Sequence, residues 1–334
     1  MLRYLSHPQL DLQQWDACIE SASNGLPYGL SWYLDIVSPQ WEAIVREEGG
    51  VYTAVMPLPV ARKFGLRYLK QPAFAQQLGV FERVPLTAAE WQELAGLLRR
   101  RFRFITRYEF NTSNTFVLEN GLDGFGCRRF TTHHLALGPG YEAVKAGYKK
   151  GRRWKINKAH RSGLTMRESA DLDALIRLFD ENTAGRIYGV IGEDYEYRLL
   201  RQLYHAARQR NMAQLYEAVD EAGTVVAMIL LFAYNHKLIY IFNASSTAGK
   251  SQDAISFLLD AVMRRHAGQP WWFDFESPEV ANVAEFYASF GSENVPFASV
   301  TLNNLPAPVR WLKQTRTAVV RYLAGAAGKG QLPR

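Results

Sequence analysis

Two carboxylates carry the most legible chemistry in this chain. In "WWFDFES", Asp274 and Glu276 alternate with Phe273 and Phe275, and alternate residues of a strand share one face. If that face borders a cleft, its aromatic setting raises a carboxyl pKa and makes one of the pair a proton acceptor. If it meets water or a basic helix, the same groups are merely solvated or ion-paired. The strand alone leaves both readings open.

A second stretch, "NASSTAGKS" (243–251), sets Ala248, Gly249, Lys250 and Ser251 between a predicted strand and a predicted helix. Backbone N–H groups at such a junction, with a mobile lysine nearby, make an anion site. An ordinary loop with a helix cap at Ser251 fits as well. The stretch also fits a relaxed Walker A pattern, with Ala244 in place of the first glycine. Tight turns join the preceding strands, however, so they are antiparallel, whereas a P-loop nucleotidase needs a parallel sheet built by helical crossovers.

A third stretch, "YKKGRRWKINKAHRSG" (148–163), holds Lys149, Lys150, Arg152, Arg153, Lys155, Lys158 and Arg161 with no Asp or Glu between them. On a helix Arg152, Lys155 and Lys158 form a stripe at three-residue spacing, and Trp154 is expected to face elsewhere and pack. The stripe is either a solvated face or a phosphate contact. Arg186, in "NTAGRIYG", is placed to clamp a carboxylate or phosphate, or simply ends a helix. Gln76 and Gln77 suit an amide-rich acceptor or a polar edge strand. His133 and His134 lie on a predicted strand and point to opposite faces, which argues against a shared metal site, and no metal is expected.

These residues are positioned by a weak internal repeat. "WEAIVREEGGVYTAVMPLPVAR" (41–62) and "LYEAVDEAGTVVAMILLFAYNHKLIYIFNA" (215–244) both read as hairpins, with turns at Gly49-Gly50 and near Ala222-Gly223. A further strand, a helix ("TAAEWQELAGLLRRRF" and "SQDAISFLLDAVMRRHA") and another strand ("RYEFN" and "WWFDFES") follow each. Helical spacing precedes each hairpin as well. Gly138-Pro139-Gly140 punctuates the chain between the copies, so the expected domains are 1–139 and 140–306. An amphipathic helix over 307–324 is expected to pack back on the first domain, with a membrane-surface role as the lesser reading. A flexible tail is expected over 325–334.

The 334 residues suffice for about two domains, and a 48% hydrophobic content excludes a disordered chain. The net charge of +7 is concentrated in the basic stretch and near the C-terminus, which favours an anionic ligand over a uniformly basic surface. Cys18 and Cys127 are far apart, giving neither a disulfide framework nor a thiolate metal site. No apolar run reaches signal-peptide or membrane-span length. A cytoplasmic location is therefore expected.

This order of elements resembles the GNAT acyltransferase fold, and two copies in tandem resemble the Fem-type peptidoglycan aminoacyltransferases. Arg152, Ile156, Lys158, Ala159 and Gly163 match the Arg-x-x-x-Ile-x-Lys-Ala-x-x-x-Gly helix that opens the second Fem domain, and Tyr287 with Gly291 matches the Y-x-x-x-G element of GNAT enzymes. The resemblance implies an α/β (α+β) protein of two GNAT-like domains, each a mixed, largely antiparallel sheet flanked by helices. It implies transfer of an acyl or aminoacyl group from an activated donor to an amine. Coenzyme A or acyl-CoA phosphates would sit on Ala248–Ser251, with Lys149, Arg152, Arg153, Lys158, Arg186, Gln76 and Gln77 as further phosphate or substrate contacts. Asp274 or Glu276 would accept the amine proton, and Tyr287 would protonate the departing thiolate. The implied partners are a small-molecule acyl donor and an amine acceptor, with aminoacyl-tRNA as the other donor and no DNA.

The chain departs from the family in three places. It has no inserted coiled-coil hairpin, a feature of tRNA-using Fem enzymes, and this favours a thioester donor. The loop before Lys250 lacks the fuller Gln/Arg-x-x-Gly-x-Gly/Ala pattern. The first copy has "PAFAQQLGVF" where a phosphate loop would fall, so that copy is expected to be degenerate. A binding protein that kept the fold and lost the transfer chemistry is the reading from another class.

Overall fold

The computed structural model describes residues 1–63, 65–182, 194–276 and 280–306. Arg186 and the expected helix over 307–324 with its tail lie outside them. The first half runs β1 (Leu2–Leu5), α1 (Leu12–Ser21), α2 (Ser31–Val37), β2 (Glu42–Glu48), β3 (Val51–Leu58), β4 (Val60–Lys63), β5 (Leu66–Leu69), β6 (Phe81–Glu82), α3 (Ala88–Arg101), β7 (Phe104–Glu109), α4 (Thr115–Asn120) and β8 (Gly126–Ala136). The second runs α5 (Tyr141–Gly147), α6 (Lys150–Arg161), β9 (Thr165–Glu168), α7 (Leu172–Asn182), α8 (Asp194–Gln209), β10 (Ala213–Val219), β11 (Val225–Tyr234), β12 (Lys237–Ser245), α9 (Thr247–Ser251), α10 (Ala254–His266), β13 (Trp272–Asp274), α11 (Ala281–Ala288) and β14 (Glu293–Asn303).

Local chemistry accounts for the boundaries. Thr87 and Glu90 form a reciprocal capping box at the start of α3. Asn235 and His236 take positive φ values of 45° and 57°, the left-handed pair that a tight turn between antiparallel strands requires. β2 pairs antiparallel with β3, as β10 does with β11 and β11 with β12, so both predicted hairpins form.

The strands make one four-stranded sheet, β1-β2-β3-β6, and one ten-stranded sheet, β4-β5-β7-β14-β8-β13-β12-β11-β10-β9. Its centre is an exchange. β8, from the first half, pairs antiparallel with β13, and β14, from the second, pairs antiparallel with β7. β8 and β14 pair with each other along their length, so the large sheet continues without a break from one half into the other.

Two cores cover the faces of this sheet. One joins first-half residues such as Tyr33, Trp41 and Phe81 to Leu203, Phe232 and Ile239 of the second half. The other lies wholly on the far side and gathers Tyr148, Ile156, Phe257, Phe273, Phe275, Tyr287 and Phe290. Period-two alternation along β13 therefore sends Asp274 toward the first half and its phenylalanine neighbours into the second core. No helix among the described residues is long and apolar enough to cross a membrane.

Candidate functional site

In each half a parallel strand pair sits where the chain passes from the hairpin to the last strands. In the second half β12 pairs with β13 only at Lys237–Trp272, Leu238–Phe273 and Ile239–Asp274. β12 continues to Ser245, and no strand among the described residues pairs with Tyr240–Ser245 on that side. Among the described residues the two strands thus part after three pairs, and the far end of β12 has no partner strand on that side.

Asp274 and Glu276 stand at the point of splay. Asp274 is buried; it accepts from Thr132 Oγ1 at 2.7 Å and from the Glu276 backbone N–H at 3.0 Å. His134 Nε2 lies 3.2 Å from its other oxygen, without the alignment of a hydrogen bond. Burial pushes the Asp274 pKa up, but His134, the Glu276 N–H and Thr132 together hold it below the ordinary carboxylate value. Glu276 is the opposite case. Burial, reinforced by the Asp274 charge, raises it to about 8, although donation from Tyr28 and the Gln76 backbone opposes the rise. Part of the residue still meets solvent, while its carboxyl is enclosed by protein. Glu276 also has a positive φ of 47°, a strained conformation for a residue with a side chain. Two carboxyls two residues apart are thus driven in opposite directions, one ionised and one protonated near neutrality, a pattern that separates a fixed charge from a proton carrier.

The first half completes this cluster. Tyr28 Oη donates to Glu276 Oε1 across 248 positions of sequence. Tyr28 packs edge-on against Tyr33 at 5.5 Å, and Tyr33 Oη donates to the Phe74 carbonyl. That bond ties down the segment bearing Gln76 and Gln77. Gln77 is buried, accepts from the Thr112 N–H at 3.0 Å and donates to Gln76 Oε1 at 3.1 Å. The structure therefore brings Gln76 to Glu276 and uses Gln77 as a support.

Tyr287 lies on the opposite face, stacked on Phe275 at 4.7 Å and edge-on to Tyr240 at 6.1 Å. Burial, with the Glu276 charge behind it, raises its pKa well above that of a free tyrosine. The Tyr240 hydroxyl is buried without a hydrogen-bond partner, an orphaned polar atom at the head of the unpaired edge of β12. Gly291, at φ 75°, closes α11 where an added Cβ would come within 2.7 Å of the Gly147 carbonyl, which gives the Y-x-x-x-G spacing a packing reason.

The basic stretch and the "TAGKS" loop are also brought together. Lys158 Nζ donates to the Ser251 carbonyl at 2.9 Å, and Lys155 lies 3.5 Å from Asp253. The "TAGKS" stretch is the short helix α9, and its cap is Ser246, not the expected Ser251: Ser246 Oγ accepts from the Gly249 N–H at 3.0 Å, and Lys250 Nζ donates to the Asn182 carbonyl at 3.1 Å. Ser251 Oγ donates back to the Ala248 carbonyl at 2.7 Å. Gly249 is buried against β11, where a Cβ would meet the Val226 carbonyl at 2.2 Å.

Arg152 departs from its stripe. It is buried, donates to Ser289 Oγ at 2.8 Å and to Ser256 Oγ, and lies over the Phe286 and Phe290 rings at 4.2 and 4.6 Å. Its charge clamps α6 to α10 and α11. Arg153 and Lys149 remain at the surface, Arg153 donating to the Ala146 carbonyl at 3.2 Å. Trp154, expected to pack, is 59% exposed. The buried face of α6 is taken by Arg152, Ile156 and Ala159, and at 3.6 residues per turn position 154 falls outside it.

Residues 147–275 match the model of the acetyltransferase (GNAT) domain family. Among solved structures, the chain is similar to FemX over 93% of its length and 99% of that chain, at 15% identity and a TM-score of 0.64. It is similar to a conserved protein of unknown function from Bacteroides thetaiotaomicron over 90% and 99% (12% identity, TM-score 0.57), and to L-PGS from Bacillus licheniformis over 94% and 97% (11% identity, TM-score 0.51). No curated protein sequence matches the chain significantly.

Residues 147–275 are thus a GNAT domain, and the whole chain has a fold like that of FemX.

The sequence reading named Asp274, Glu276 and Tyr287, and the structure sets all three about the end of β13, the carboxyls against Thr132 and Tyr28 and the tyrosine ring against Phe275. It missed Tyr28, Tyr33, Thr132, His134 and Tyr240. Thr132 and His134 carried one faint signal, an i, i+2 spacing on a predicted strand. Tyr28 and Tyr33 carried none, because their relation to Glu276 exists only once the halves are packed together.

Proposed function

We propose that this chain is an N-acyltransferase that moves an acyl group from a thioester donor of the acyl-CoA type to an amine, with Glu276 as the general base. The chain is of acyltransferase fold. The observation that carries it is the split between the two carboxyls at the mouth of the splayed strands. Glu276 is raised to about 8 while Asp274, two residues away, is held low.

The donor, when bound, supplies an activated carbonyl and a thiolate leaving group. The unpaired edge of β12 accepts its extended chain by main-chain hydrogen bonding. The Ala248–Ser251 loop, with Lys250 and Lys158 beside it, faces its phosphates. Glu276, in its ionised form, takes the proton from the attacking amine. Asp274 stays charged and favours a cationic amine near Glu276. Tyr287, with a pKa far above neutrality, holds its proton until a thiolate develops, then delivers it. Tyr28 and the Gln76 backbone fix the Glu276 carboxyl from the other half.

A second reading, aminoacyl-tRNA as the donor, is favoured by one observation. Trp154 stands exposed among Lys150, Arg153 and Lys158 on α6, beside the Ser251 loop, and an aromatic set in cations suits stacking on nucleic-acid bases.

A thermal melt with coenzyme A separates the two readings. At 100 times its Kd a ligand adds about 2.7 kcal/mol to the native state, and Lys250→Ala should diminish the resulting rise in Tm. Absence of any rise with coenzyme A or acetyl-coenzyme A overturns the thioester donor. Binding of tRNA that weakens steeply with salt would then support the second reading.

A further inference from the structure

Far from the splayed strands, at the outer edge of the large sheet, a cavity of ≈ 370 Å³ is lined by Glu168, Ser169, Tyr204, Arg208, Gln214, Tyr216, Arg265 and His266 among others. Its walls come from both faces of the sheet. Tyr204 and Arg208 belong to α8, Arg265 and His266 to the last turn of α10, and the floor is the end of β10. β9 covers β10 only from Val219 to Tyr216, with one further bond from the Ser169 N–H to the Leu215 carbonyl at 2.9 Å. Ala213 and Gln214 therefore lie at an edge that β9 does not cover.

The polar groups here form a set larger than local structure requires. Arg265 Nη1 donates to Glu168 Oε1 at 2.6 Å and to Tyr216 Oη at 3.0 Å. The Glu168 side chain is 70% exposed, so it is a solvated partner that another anion can replace. Tyr216 and Tyr204 are buried, and Tyr204 spends its proton on the Ala170 carbonyl at 3.2 Å. His266 Nε2 is buried and has no hydrogen-bond partner, although the ring is held edge-on to Trp271 at 5.3 Å. Two arginines, from α8 and from α10, and the Tyr216 hydroxyl thus stand around one hollow, while His266 Nε2 is sealed from solvent beside it. The only carboxylate among its lining residues is Glu168.

We propose that this hollow is a second ligand site, separate from the reaction centre, for a compact oxyanion-bearing molecule, a phosphate or carboxylate, held between Arg208 and Arg265. Paired guanidiniums suit oxyanions because each offers two parallel N–H donors, and the exposed Glu168 carboxylate is the group that an incoming anion would replace on Arg265. This inference is independent of the donor assignment, since none of these residues touches Glu276, Tyr287 or the Ala248–Ser251 loop.

The test is isothermal titration of the full chain with sodium sulfate, and separately with sodium succinate, at an ionic strength matched with sodium chloride. The site predicts saturable binding that weakens about tenfold or more in Arg265→Gln and again in Arg208→Gln, the scale of one lost charge-assisted hydrogen bond. Arg208 is exposed, so its variant keeps the test valid should Arg265→Gln fail to fold. Arg99→Gln, at an exposed arginine of α3 outside both sites, should leave the affinity unchanged. A sulfate response with no succinate response assigns a phosphate-type ligand, and the reverse a carboxylate. No saturable binding of either anion, or binding equally strong in both arginine variants, overturns the proposal.

Discussion

The two halves share a plan and differ at one place. In the second half, β12 and β13 pair in parallel over three residues and then part. In the first, β5 and β7 also pair in parallel, at Leu69 and Ile105, but the chain following β5 fills the gap. Leu78 bridges Phe110 in parallel, the Leu78 N–H donates to the Glu109 carbonyl at 2.8 Å, and the Asn111 N–H donates back to the Leu78 carbonyl at 3.0 Å. Gln71 accepts from the Glu109 N–H at 3.0 Å and donates to the Ala75 carbonyl at 2.6 Å. The first half thus pairs the far end of β7 with its own chain, whereas among the described residues of the second half no strand pairs with the far end of β12 on that side. The plug also acts outward, because it carries Gln76 to Glu276. The first half thus lends the second a support, the Gln76 backbone, from within "PAFAQQLGVF".

The largest expected effect lies in the open half. Glu276→Gln removes the proton acceptor while keeping the shape, and turnover should fall by about 10²–10⁴-fold, the usual worth of a general base, with the far-UV spectrum unchanged. A smaller loss would place the proton transfer elsewhere. The sign of the pH effect follows from the raised pKa. Between the ordinary 4.5 and about 8 the unfolded chain ionises Glu276 before the folded chain does. The wild type should therefore lose stability relative to Glu276→Gln as pH rises through that window, and activity should climb as pH approaches and passes 8. Chemical denaturation at several pH values, alongside rate profiles, checks both limbs.

The next effect lies in the plugged half. Leu78 is fully buried, and Leu78→Ala should cost about 2–5 kcal/mol, read as a fall in the denaturation midpoint. If the plug supports the site, the variant should also lower turnover at temperatures where it stays folded. Unchanged turnover would make the first half a passive scaffold. The smallest effect joins the halves. Tyr28→Phe removes one hydrogen bond, worth about 0.5–1.5 kcal/mol. Because that bond opposes the rise of the Glu276 pKa, its loss should move the activity profile to higher pH. A profile that stays in place would limit Tyr28 to packing.

Much of the fold was legible because its signals are local. The two hairpins, the helices after them and the alternation in "FDFE" depend on periodicity and turn residues a few positions apart. Trp154 shows the limit of that reasoning: its type suggested packing, but only the position of α10 and α11 shows which face of α6 is covered. Arg152 shows the same limit from the other side, since no rule of spacing distinguishes a buried clamp from the exposed cations beside it.

The sequence by itself determined the repeated plan, the strand that carries Asp274, and the nearness of Gly249 and Lys250 to a helix start. All of these follow from backbone geometry within one element or one turn. The sequence did not show that this strand ends at Asp274, with Glu276 beyond it at a positive φ. The tertiary structure decided the exchange of β8 and β14, the plugging of the first half, and the reach of Tyr28 and Gln76 to Glu276. It also decided the opposite shifts of the two carboxyls. A pKa depends on burial and on charges brought near through space, and the groups that set these values come from both ends of the chain.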